Sequence, residues 1–288
     1  MRVAACQYPL ETLASFDAFA HKQSLILHQA KQQGAQIAVL PEYLALELAG
    51  FMPASTRTDL AASLYALQNY WPQWQALYQQ LAQQLNLWIC AGTFLVAAEA
   101  GRYFNRAGLF SPQGAVVWQD KMQLTGFEKS SGIIAPGRQL QVWQTQALSL
   151  GIAVCYDCEF PLAVRAQREA GAQLILVPSC TDTLAGANRV RIGCQARALE
   201  NRLSLACATT AGQLAWSPAL DINTGEAAIV VPMDIGLPDD GIAACSSGDN
   251  IWAIADIDFA CLRAPAAAQV AVDVDWPLQT LRAECAFI

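Results

Sequence analysis

Residues 147–178 read "ALSLGIAVCYDCEFPLAVRAQREAGAQLILVP". An apolar, β-rich run ends at Cys155, a helical stretch follows over about 160–170, and a second β-rich run follows that. The same alternation extends in both directions. Upstream, "RVAACQY" (2–8) reads as a strand and "SFDAFAHKQSLILHQAKQQG" (15–34) as a helix closed by Gly34. "AQIAVL" (35–40) then reads as a buried strand ended by Pro41. A long helical region covers roughly 55–84, and "LWICAGTFLVA", "YFNRAGLF" and "AVVWQD" follow as strands. Downstream, a helix over about 188–202 leads into "LSLACATT", and "EAAIVVP" and "WAIADID" are the last strands. Helices between some strand pairs and hairpins between others predict an α/β fold with mixed sheets covered by helices. Two sheets face to face with helices outside would hide this many apolar strands, and periodicity alone fits one large mixed sheet equally well.

The 288 residues can bury a large core, and no Ser/Gly-rich linker, like-charge block or fixed repeat divides them. Although 54% of the residues are hydrophobic, no apolar run reaches the ~18 residues of a membrane span. "MRVAACQYPL" (1–10) lacks the longer apolar core of a signal peptide and reads as a first strand. A net charge of −7 argues against nucleic acid and anionic membranes as partners. Ten cysteines without such a leader predict reduced thiols in the cytoplasm, most of them in apolar surroundings where they act as small hydrophobes.

Three chemically useful residues directly follow apolar runs: Glu42 after "AQIAVLP", Lys121 after "AVVWQD" and Cys155 after "SLGIAV". Ligand sites of α/β folds form at the carboxyl ends of strands, so these three can converge on one crevice. A thiol nucleophile needs a base or cation beside it. The two histidines, His21 and His28, both fall in the first predicted helix and read as solvated helix residues. Glu42 is the better base, because burial raises a carboxyl towards the pKa that proton transfer needs. Lys121 would balance it and donate to a developing oxyanion, with the backbone N–H of Tyr156 as a second donor. Cys155 and Cys158 stand three apart, but no second Cys or His pair completes a zinc site. A redox Cys-x-x-Cys would open a helix after the first strand of a small domain rather than close a mid-chain strand.

"LPEY" with Glu42, "DKMQLTGFE" with Lys121 and Glu128, and "VCYDCEFP" with Cys155 occur in that order, joined by "GAQLILVPS" and "ARALENR". Together they resemble the nitrilase superfamily of carbon–nitrogen hydrolases over roughly residues 1–260. The resemblance implies a four-layer αββα sandwich of two mixed sheets, pairing into homodimers or higher oligomers, and a Glu–Lys–Cys catalytic set. Carried over by position, Cys155 is the nucleophile, Glu42 the general base, Lys121 the oxyanion partner and Glu128 the second glutamate that orients lysine and substrate. Cys158 falls at a variable position of the motif. The implied reaction cleaves a small amide through a thioester and requires no metal or organic cofactor. Nitrile hydrolysis, acyl transfer and a catalytically silent binding relative are the alternatives.

The likeness has limits. "ANRVRIGCQ" (187–195) and the "LTGFE" after Lys121 depart from the commoner branches, so their substrate preferences do not carry over. Position after the "VPSC" strand end makes Arg189 and Arg191 candidates for binding an acidic substrate group, and Tyr43, Trp118, Tyr156 and Trp216 are candidate pocket aromatics. One domain over 1–265 is expected, with 266–288 as a tail belonging to the same unit or to a dimer contact.

Overall fold

The computed structural model describes residues 1–263; the predicted tail 266–288 lies outside them. The strands are β1 (Arg2–Pro9), β2 (Ile37–Leu40), β3 (Trp88–Ala97), β4 (Tyr103–Phe110), β5 (Val116–Asp120), β6 (Ile134–Ala135), β7 (Val142–Gln144), β8 (Ser149–Ile152), β9 (Leu174–Ser179), β10 (Ser204–Ala211), β11 (Ala228–Val230), β12 (Ile242–Cys245) and β13 (Trp252–Asp256). The helices are α1 (Phe16–Gln32), α2 (Ala54–Arg57), α3 (Leu60–Leu67), α4 (Trp71–Leu85), α5 (Gly126–Ser131), α6 (Pro161–Glu169), α7 (Leu184–Asn201) and α8 (Phe259–Arg263). The fold is mixed α/β, as predicted.

The strands join in the order β5-β4-β3-β2-β1-β10-β9-β8-β7. β1 is the junction. Its first half pairs with β2 on one side and β13 on the other, and its last residues, Gln7–Pro9, pair in parallel with β10. Side chains alternate across β1 and β2, as strand geometry requires. Ala4, Tyr8, Ala38 and Leu40 pack with Phe19, Leu27, Trp74 and Tyr78 from α1 and α4. Val3, Ala5, Ile37 and Val39 instead share a core with Leu150, Ile152, Leu174 and Leu205 of the other half of the sheet. Both faces of this half are therefore buried, which is why its strands read as near-continuous apolar runs. Each Val, Leu, Ile or Phe among them contributes about 1.5–3 kcal/mol on burial.

Helix boundaries follow local chemistry. Ser15 caps α1 by accepting from Ala18 N at 3.1 Å. The region 55–84 is not one helix: Asp59 caps α3 separately, and Pro72 opens α4 where its missing N–H costs nothing. α7 begins at Leu184, four residues before the predicted start, because Thr183 accepts from Gly186 N at 3.1 Å.

One glycine is required by close approach. Gly92 sits at φ +69° in a register shift of β3, and a Cβ there would lie 2.0 Å from the Pro41 carbonyl oxygen. The same irregularity brings Thr93 Oγ1 to accept from Tyr43 N at 2.8 Å, which fixes the turn carrying Glu42. Gly92→Ala combines a left-handed cost of ~1–2 kcal/mol with an overpacking cost of ~1–3 kcal/mol. Urea unfolding should show a loss of about 2–5 kcal/mol, and a loss below 0.5 kcal/mol (roughly the scatter of neutral surface changes) would show that the close approach is not needed.

Candidate active site

The turns after β2, β5, β8 and β9 meet at one cavity of about 470 Å³. β2 runs parallel to β3, and β5 is antiparallel to β4, itself antiparallel to β3. Glu42 and Lys121 are thus delivered in the same direction from one half of the sheet. Cys155 and Cys180 come from the parallel strands β8 and β9 of the other half. Glu42, Lys121 and Cys155 all line the cavity and are all nearly fully buried.

Lys121 Nζ stands between two carboxylates, 2.7 Å from Glu42 Oε1 and 2.8 Å from Glu128 Oε2. Asn105 Nδ2 also bridges them, donating to Glu42 Oε1 at 2.7 Å and Glu128 Oε1 at 3.0 Å. Glu128 is satisfied many times over: Tyr43 OH donates to Oε1 at 2.8 Å, while Thr125 N and Oγ1 donate to Oε2 at 2.9 and 3.1 Å. These last contacts form a capping box, since Thr125 Oγ1 also caps α5 by accepting from Glu128 N at 3.3 Å. Glu42 has fewer donors, and the Cys155 thiol lines the same cavity.

Two carboxylates and one ammonium in a buried space cannot be equivalent. Burial pushes Glu42 above the usual carboxylate value, against the pull of Lys121, and the negative charge of Glu128 adds to that rise. Burial also opposes ionisation of Glu128, but the Lys121 ammonium and the hydrogen bonds from Thr125 and Asn105 prevail and hold it below its ordinary value. Burial lowers Lys121, yet its two glutamates more than reverse this, so the ammonium stays charged. Burial and the Glu42 carboxylate push the Cys155 thiol well up.

Cys155 has φ 47°, a left-handed conformation uncommon outside glycine, and opens a 3-10 turn, Cys155–Glu159. The turn is strapped in place. Asp157 accepts from Val154 N at 3.1 Å, Met122 N at 3.2 Å and Gln123 N at 2.7 Å, tying the cysteine turn to the loop that carries Lys121. From behind, Arg197 Nη1 donates to the Cys158 carbonyl at 3.3 Å and pairs with Glu200. Cys155 Sγ lies 3.5 Å from the Cys180 carbonyl oxygen. Cys158 is fully buried, with Sγ 3.7 Å from the Val190 carbonyl oxygen, and does not line the cavity.

The remaining predicted residues are distributed unevenly. Tyr43 and Tyr156 line the cavity; Tyr156 packs edge-on to Phe160. Arg189 is on the cavity wall, 3.5 Å from Glu159. Arg191 lines a different cavity and hydrogen-bonds Asn188 at 3.3 Å. Trp118 belongs to an aromatic cluster with Trp71 and Phe110, and Trp216 donates to Thr12 Oγ1 at 2.9 Å. His21 and His28 are exposed on α1. Among the described residues no group of three or more His, Cys, Asp or Glu is arranged to hold a metal ion, and no helix is long and apolar enough to cross a membrane.

Sequence reading missed Asn105, Thr125 and Asp157. Asn105 shares a strand face with Tyr103, Ala107 and Leu109, all buried. A polar residue at an inward position of an apolar strand is the signal that could have found it. "TGFE" carries the Thr-x-x-Glu capping signature that places α5 and Glu128 together.

Known proteins share this fold and sequence. The chain is 30% identical over 264 residues to the probable hydrolase YhcX of Bacillus subtilis (strain 168), an alignment covering 91% of this chain and 51% of that protein. It thus spans about half the length of that relative. It is 26% identical over 280 residues to the human deaminated glutathione amidase, covering 90% of this chain and 80% of the amidase. The crystal structure of a carbon–nitrogen hydrolase from Helicobacter pylori G27 superposes with a TM-score of 0.77, covering 98% of this chain and 95% of that one at 20% identity, a likeness of fold. The model of the carbon–nitrogen hydrolase family matches residues 2–238, through every strand end that feeds the cavity, and the chain belongs to that family.

Proposed function

We propose that this chain hydrolyses the C–N bond of a small amide, with Cys155 as nucleophile, Glu42 as general base, Lys121 as oxyanion partner and Glu128 as the anchor of Lys121. The reading is carried by one observation: a buried ammonium held 2.7 and 2.8 Å from two carboxyls, Glu42 pushed up by burial and Glu128 held down by the ammonium and its donors, with a thiol on the same cavity. Groups pushed apart in this way take different roles. Glu42 exchanges protons, while Glu128 keeps its charge and holds the lysine.

A thiol whose pKa is raised is not a standing thiolate, so its proton leaves as attack proceeds. Sγ bonds to the amide carbon while Glu42 accepts the thiol proton. The carbonyl oxygen becomes an oxyanion near Lys121 and the backbone N–H of Tyr156. Glu42 then gives its proton to the leaving amine as the C–N bond breaks. Water attacks the resulting thioester with Glu42 taking its proton, the C–S bond breaks, and the sulfur recovers a proton. The relatives named as amidases support an amide over a nitrile as substrate.

The same reading extends to architecture and assembly. The apolar layer shared between the two halves of the sheet, with α1 and α4 outside one of them, supports a four-layer αββα arrangement. Exposed Leu162, Leu184 and Ile192 on α6 and α7 support a homodimer.

Ammonia release from a panel of small amides, ω-amides and nitriles tests the function. Release from amides should fall at least about 10³-fold in Cys155→Ala; release that persists in the variant would overturn the assignment. The pH profile tests the division of labour. The acid limb of kcat/KM should lie above the ordinary glutamate value of 4.5, because it reports deprotonation of Glu42. In Glu128→Gln the repulsive neighbour is gone, so this limb should move to lower pH even as kcat falls by roughly 10²-fold. An unmoved limb would assign it to another group.

A further inference from the structure

Glu42 and Glu128 together present four carboxylate oxygens, and the donors around them leave one open. At Glu128, Oε1 accepts from Tyr43 OH and Asn105 Nδ2. Its Oε2 accepts from Thr125 N and Oγ1 and stands 2.8 Å from Lys121 Nζ. At Glu42, both donors end on the same oxygen: Lys121 Nζ and Asn105 Nδ2 each lie 2.7 Å from Oε1. No nitrogen or hydroxyl donor of the described residues reaches Glu42 Oε2. An oxygen that already accepts from an ammonium and an amide is a poor place for a proton, so the proton that Glu42 carries belongs on Oε2.

Asn105 is built into this asymmetry. It is fully buried in β4, and its backbone carbonyl accepts from Lys121 N at 2.9 Å. The strand pairing thus sets it beside the lysine, while its amide directs one proton to each glutamate. Its Oδ1 is buried without a hydrogen-bond partner among the described residues, and an orphaned buried acceptor is costly. Turning the amide over would not relieve it, because Oδ1 would then face two carboxylate oxygens at 2.7 and 3.0 Å. The side chain is therefore held there by what its nitrogen does. Asn105 does not line the cavity, so it acts on a substrate only through Glu42 and Lys121.

We propose that Asn105 is a positioning residue of the hydrolysis: by holding Oε1 of Glu42, it leaves Oε2 as the atom that takes the thiol proton and passes it to the leaving amine. The inference rests on the proposed role of Glu42 and assigns that role to one atom. Rotating the carboxyl to offer Oε1 instead would break two hydrogen bonds at once. The other groups facing Glu42 are Glu128 from α5, Tyr43 beside it, and the thiols Cys155 and Cys180 from the turns after β8 and β9. Glu128 has no proton to give, Tyr43 OH is engaged by Glu128, and the Cys180 thiol is engaged by Asn223 at 3.3 Å.

Asn105→Leu keeps the size of the side chain and removes the donor. In the full chain, kcat should fall roughly 10²-fold while KM stays within about threefold, since the substrate does not touch residue 105. The acid limb of kcat/KM should move up by about one pH unit, because a carboxylate that loses a donor is harder to ionise. Glu128→Gln moves the same limb down, so general damage to the site does not mimic both. If Asn105→Leu does not fold, Asn105→Ser, smaller and polar, should raise the limb likewise. A limb unmoved in the variant that folds, or a higher KM with kcat unchanged, would overturn the proposal. A readout without turnover separates it from failure of the hydrolysis. pH-difference infrared spectra of the protein with carbon-13 in its glutamate carboxyls follow Glu42 directly, its band assigned by loss in Glu42→Gln. Protonated on Oε2, Glu42 presents its carbonyl oxygen to two donors. Loss of Asn105 should therefore move that band to higher frequency and its titration midpoint to higher pH. If no amide is cleaved yet both shifts occur, the positioning stands and the reaction is reassigned. A band and midpoint unchanged by the substitution would overturn the positioning.

Discussion

Everything at the site depends on the buried contact between one ammonium and two carboxylates. Taking Lys121, Glu42 and Glu128 out of water costs several kcal/mol for each ion, and removing one member would leave an uncompensated buried charge. The fold offsets this cost with hydrogen bonds: Asn105 to both glutamates, Tyr43 and Thr125 to Glu128, and Asp157 tying the neighbouring loops together. The donors are shared unequally, and in the proposed mechanism that inequality divides the roles. Glu128, rich in donors, is a fixed anion. Glu42, poor in donors and faced by a thiol, is the group able to gain and lose a proton.

This arrangement needs strand ends from both halves of the sheet, and β1 supplies the connection by pairing with β2 through its first half and with β10 through its last residues. Small details then set the atomic positions. The irregularity at Gly92 lets Thr93 hold Tyr43, whose left-handed backbone turns the chain next to Glu42. Cys155 adopts a left-handed conformation at the corresponding turn after β8. Two strained residues beside one cavity, each secured by contacts from another element, are consistent with strain retained for function.

Much of this was legible in the sequence. The apolar strand runs stood out because both faces of their strands are buried, and Glu42, Lys121 and Cys155 stood out because each ends such a run. The structure brings these three to one cavity, with Glu128 buried against Lys121. What escaped notice was chemistry without a periodic signature. Asn105 looks like an ordinary strand residue until its partners are known. α5 is one short turn and a half, too brief for periodicity, although its capping signature was present. Arg189 and Arg191, two residues apart on a helix, point to different cavities, as a 100° step per residue dictates.

The central claim is that Cys155 carries the acyl group. The most direct test is to quench the enzyme with acid during turnover of an amide it cleaves, then map the added mass by peptide mass spectrometry. The account predicts an acyl adduct on the peptide bearing Cys155, absent when Cys155 is replaced by Ala. An adduct on Cys158 or Cys180, or turnover without any adduct under conditions that trap thioesters, would contradict it.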